Sequence, residues 1–124
     1  MTFALWMILV AIFLPLVSTG IGKAGAGGYD NSQPRIWVDS LSGWRKRADW
    51  AHRNHFEALP SFAAAVLVAT VAHANPVTTN WLAGIWALSR IAYTALYIMD
   101  KPSLRSLSWT VGFACVVGMF VISA

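Results

Sequence analysis

Residues 2–22 read TFALWMILVAIFLPLVSTGIG and contain no charged side chain. At about 1.5 Å per residue, a helix over this run reaches across a hydrocarbon layer of about 30 Å. Pro15 interrupts the ladder of such a helix, and a neighbouring helix can satisfy the carbonyl that it frees. A cleaved leader is the rival reading, because Ala24-Gly25-Ala26 has the small residues of a cleavage site. However, Met1-Thr2-Phe3-Ala4 lacks the Lys or Arg that a leader needs at its start. The run is therefore read as a membrane helix.

Outward from it, Lys23 to Trp44 is the only long polar stretch. Gly25, Gly27 and Gly28 allow unusual dihedrals there and Pro34 breaks regular structure, so this is read as a cytoplasmic loop folded against the helix ends. A second helix covers about 44–73. Its first half is charged (Arg45, Lys46, Arg47, Asp49, Arg53, Glu57) and Phe62 to Ala72 is apolar. It begins in the cytoplasm and enters the membrane near Pro60, with a kink at that depth. His73-Ala74-Asn75-Pro76 and Asp100-Lys101-Pro102 read as turns before prolines, which bound helices over about 77–99 and 103–124. The expected fold is an all-α membrane protein in one domain, a bundle of four transmembrane helices.

Composition agrees. The chain is 57% hydrophobic and 11% charged, against about 25% charged in soluble domains. That is too little charge to cover an aqueous surface, and a lipid-facing surface needs none. The net charge of +4 does not point to nucleic acid, because the basic residues sit between the apolar runs. Lys23, Arg35, Arg45, Lys46, Arg47 and Arg53 lie in or beside the first loop, Lys101 and Arg105 flank the third, and the second has none. The bias of cations to the inner side places loops one and three in the cytoplasm and both termini outside. The single cysteine, Cys115, lies in an apolar run and is read as packing. No spacing of His, Cys, Asp or Glu suggests a metal site.

Ionisable groups at membrane depth are costly and tend to face protein or water. On the second helix Arg47, Trp50, Asn54, Glu57 and Ser61 recur at spacings that place them on one face. On the third, Arg90, Tyr93 and Tyr97 do the same, and Arg105 and Ser106 open the fourth on the same cytoplasmic side. Glu57 is the expected partner of Arg90. The two clusters would line one arginine-rich cavity suited to an anion with carboxylates. The structural alternatives are a polar clamp between helices and ordinary core aromatics. His55, on a different face from Asn54 and Glu57, and His73, at a helix end, are weaker candidates.

These residues resemble a known family. Ala51-His52-Arg53-Asn54-His55-Phe56-Glu57-Ala58-Leu59-Pro60 is similar to the signature of the MAPEG family, membrane-associated proteins in eicosanoid and glutathione metabolism. Arg90, Tyr93 and Tyr97, followed by Arg105-Ser106, resemble its second conserved region. Tyr29-Asp30-Asn31-Ser32-Gln33-Pro34-Arg35 resembles a first-loop motif of bacterial members. The resemblance implies a homotrimer of four-helix protomers in the bacterial inner membrane, in contact with membrane lipids, with glutathione held between neighbouring protomers. Asn54 and Glu57 match positions that hold the glutathione backbone, Arg53 and Tyr97 match binding residues, and Arg90 and Tyr93 fall in the same cofactor-binding region. Arg105 matches an arginine that stabilises the thiolate, and Ser106 a serine proposed to assist. Trp50 departs from the pattern, since many eukaryotic members carry an arginine there, and Lys23 stands where their first helix often ends in another.

Two classes of function follow. One is a glutathione-dependent transferase or peroxidase acting on lipophilic electrophiles. The other is a non-catalytic lipid-binding or scaffold subunit that keeps the fold and the polar clamp. A transporter lacks support, because no inverted repeat is present.

Overall fold

The computed structural model describes residues 1–124. Five helices form in chain order: α1 (Phe3–Lys23), α2 (Pro34–Asp39), α3 (Gly43–Val71), α4 (Pro76–Ile98) and α5 (Pro102–Val121). There is no strand.

Local chemistry sets the ends. Thr2 caps α1 by accepting from the Leu5 amide. Pro15 continues the helix, and its own carbonyl accepts from His52 Nδ1 on α3 at 2.7 Å. Pro34 starts α2 rather than breaking regular structure, because the first helical residue needs no N–H partner. Helix α3 likewise runs unbroken past Pro60.

The α3–α4 and α4–α5 turns share one design. His73 and Asp100 adopt φ of 55° and 58° just beyond their helices. The amides of Ala74 and Lys101 then reach back to the carbonyls of Ala69 and Leu96, both at 2.9 Å. This is the Schellman arrangement, here with non-glycine residues in the left-handed position. Prolines at the first turn of α4 and of α5 begin the next helix at once.

In cross-section α1 packs on α3 and α4, α3 packs on α4 and α5, α4 packs on α5, and α1 and α5 do not touch. Helices α3 and α4 thus form the central pair. Phe62 stacks flat on Trp86 between them at 3.6 Å. Small residues let the backbones approach, as membrane packing favours. Gly22 faces Ala48, and a Cβ on Gly112 would stand 2.7 Å from Ser89 Oγ. Ser108 on α5 donates to the Ser89 carbonyl at 2.5 Å across the same contact.

Helices α1 and α5 are long and apolar enough to cross a membrane by length and composition. At the charged end of α3, Arg45 donates to the carbonyls of Gly22 and Ala24, and Arg47 donates to that of Ile98. Cations thereby cap the carbonyl ends of α1 and α4. Arg47 is turned to the Ile98 carbonyl through two of its nitrogens rather than to the polar face of α3.

Candidate functional site

One face of α3 presents Trp50, Asn54, Glu57 and Ser61, and α4 turns Arg90, Tyr93 and Tyr97 toward the same region. Arg90 is 2% exposed, so each of its donors requires an acceptor within the protein. One terminal nitrogen donates to Asn54 Oδ1 at 2.8 Å and approaches His55 Nδ1 at 3.3 Å. Asn54 in turn donates to Glu57 Oε2 at 2.9 Å. The expected direct pairing of Arg90 with Glu57 is therefore corrected: Asn54 stands between them, because an amide offers an acceptor on one side and donors on the other.

The aromatic half of the cluster continues from Arg90. Its guanidinium lies 4.2 Å over the Tyr93 ring, and Tyr93 meets Tyr97 edge-on at 5.5 Å. The Arg105 guanidinium lies 4.4 Å over Tyr97, and Trp50 tilts against the same ring at 6.1 Å. Such faces hold a guanidinium plane while leaving its edge free. A cavity of about 210 Å³ opens beside this run. Asn54, Glu57, Ser61 and Arg90 form its polar side, and Trp86, Trp109 and Phe113 its apolar side. The Arg90 Nε atom is buried without an acceptor.

The structure brings together Asn54, Glu57, Arg90, Tyr93, Tyr97 and Arg105. It does not bring Arg53 to them within one chain. Arg53 reaches Asp39 at 3.3 Å and Asp49 at 3.1 Å, in a network completed by Lys46. That network closes a second polar cavity, of about 420 Å³, whose lining includes Lys23, Arg35 and His52. Ser106 is exposed and its hydroxyl makes no hydrogen bond; its carbonyl accepts from the Thr110 hydroxyl at 2.9 Å. Cys115 is buried in the core cluster.

His55 is the residue that sequence reasoning set aside. It is 2% exposed and bonded to Thr94 Oγ1 at 2.7 Å as well as to Arg90. The available signal was Thr94, one turn beyond Arg90 on α4, which offers a hydroxyl on that face. In the first loop, the Asp30 carboxylate accepts from the Ser32 hydroxyl at 2.6 Å and the Ser32 amide at 2.8 Å. These bonds hold its pKa below the usual carboxylate value.

Five helices around a shared arginine–tyrosine cluster define an all-helical protein with an internal polar site, and two of them are apolar enough to cross a membrane. The MAPEG family model matches residues 3–124, and the chain belongs to that family. It is accordingly a membrane protein of the glutathione and eicosanoid class. No curated protein and no solved structure matches it.

Proposed function

We propose that the chain is a membrane-embedded transferase or peroxidase that uses glutathione against lipophilic electrophiles. The observation that carries this reading is the unbroken run of contacts Glu57–Asn54–Arg90–Tyr93–Tyr97–Arg105 across α3, α4 and α5. The residues fit a small peptide with carboxylates and an amine. Arg90 Nε lacks an acceptor, the Arg105 side chain makes no hydrogen bond, and Glu57 keeps one oxygen free.

When bound, glutathione supplies the sulfur nucleophile. Arg105 favours the ionised thiol, since a nearby guanidinium lowers a thiol pKa. Tyr97 holds the Arg105 plane and Tyr93 that of Arg90. Asn54 and Glu57 orient the ligand backbone, and Ser106 assists from the next position on α5. The cavity's apolar side, with Trp109 and Phe113 half-exposed, gives a lipophilic partner lateral access from the bilayer.

In this reading all four long helices cross the membrane, and the first turns of α3 extend into the cytoplasm. Both termini lie outside, and the compartment is the bacterial inner membrane. Glu57 is exposed on the single chain, which is costly at membrane depth. A homotrimer covers it and brings Arg53 of a neighbouring copy toward the site. A second reading, a non-catalytic lipid-binding or scaffold subunit, is favoured by Trp50. Its ring occupies the place beside Tyr97 where a charged partner for a carboxylate would stand.

Calorimetry of glutathione with detergent-purified protein separates the two. Binding that Arg105→Ala weakens about tenfold supports the enzyme. No heat at millimolar glutathione transfers the case to the scaffold reading.

A further inference from the structure

We propose that His55 is a positioning residue that aims Arg90 at the ligand site. This rests on the reading of the Arg90–Arg105 run as that site.

A guanidinium can only donate hydrogen bonds. The 3.3 Å contact between Arg90 and His55 Nδ1 therefore makes Nδ1 the acceptor, and the ring proton must sit on Nε2. Nε2 then donates to Thr94 Oγ1 at 2.7 Å, and the Thr94 hydroxyl donates to the Arg90 carbonyl at 3.2 Å. The circuit begins and ends on one residue: the Arg90 side chain donates into His55, and its backbone receives through Thr94. The same terminal nitrogen also donates to Asn54 Oδ1. That bond turns the Asn54 amide nitrogen to Glu57. One constraint, that arginine never accepts, thus sets the tautomer of His55 and the orientations of Thr94 and Asn54.

His55 is 2% exposed and lies outside the lining of the cavity that Arg90 borders, so cavity water does not stand where the imidazole accepts. Without it, Arg90 would turn toward another acceptor and release Asn54. His55 makes no contact with the cavity itself and acts only through Arg90.

The rival role is packing, since the His55 ring also meets Tyr93 edge-on at 6.3 Å. Two substitutions separate the roles. His55→Phe keeps an aromatic ring and removes the acceptor. His55→Asn gives up volume and keeps an acceptor near Nδ1. On full-length protein in nanodiscs, His55→Phe should weaken glutathione binding about tenfold, while His55→Asn stays within about threefold. Nitrogen-15 spectra of the unaltered chain should show His55 neutral with its proton on Nε2. A phenylalanine variant that binds like the parent, an asparagine variant that loses as much as phenylalanine, or a proton on Nδ1 would each overturn the proposal. The tautomer is read without substitution, so a variant that fails to fold leaves that arm standing. If the parent binds no glutathione, the enzyme reading falls and the Arg90 Nε–H resonance decides the positioning role. Displacement in the phenylalanine variant alone supports it; no displacement, or the same displacement in both, sinks it.

Discussion

Arg90 shows how a charge is kept inside an apolar bundle: Asn54 and His55 accept from its terminal nitrogen, and Tyr93 lies beneath its plane. Removing one partner of such a set leaves a donor without an acceptor. Asn54→Ala should therefore lower stability by about 1–3 kcal/mol in thermal unfolding of the purified protein. At the edge of the fold the same logic applies to Asp30. Its carboxyl titrates below the ordinary 3.8 because Ser32 donates to it twice. A depressed carboxylate contributes loop stability above its unfolded pKa and loses it as pH falls through the folded value. An NMR titration should place the midpoint below 3.8, and Ser32→Ala should return it toward that value.

At the scale of elements, the two Schellman turns and the α4–α5 seam are open to test. His73 holds φ at 55°, where a side chain costs about 1–2 kcal/mol relative to glycine. His73→Gly should raise the unfolding temperature, whereas no rise would mean that the ring makes compensating contacts. On the seam, Gly112→Ala places a methyl 2.7 Å from Ser89 Oγ. It should destabilise by about 1–3 kcal/mol through overpacking. Ser89→Ala combined with it should recover most of the loss. Unfolding curves of the two single variants and the double variant check this.

At the scale of the whole molecule, α3 and α4 are the central pair, and the polar face of α3 lies open beside them. In the proposed membrane-spanning arrangement of α3, the exposed Glu57 carboxylate calls for cover. Native mass spectrometry of the detergent-purified protein should find three copies of the 13.5 kDa chain. A monomer under gentle detergent would count against the trimer. Cysteines placed at either terminus should label with an impermeant reagent from the outer side in intact cells, and protection of both would reverse the orientation.

The chain's own order was enough for the helical membrane class, the long helices on their apolar runs, and a polar face on α3 matched by Arg90, Tyr93 and Tyr97 on α4. Periodicity carries that information, because residues three and four apart share a face whatever surrounds them. Partner choice was not legible. Glu57 and Arg90 look like a pair by charge, yet Asn54 sits between them. His55 points a third of a turn away from Asn54, and only the packing of α4 shows that one guanidinium reaches both. Arg53 directly precedes Asn54, yet it turns to Asp39 and Asp49. Pro34 opens a short helix because a first helical residue needs no N–H partner, and the loop lays that helix against α3. Helix faces are set by local geometry; which atoms meet across them depends on the depth and rotation of neighbouring helices, and only tertiary packing decides that.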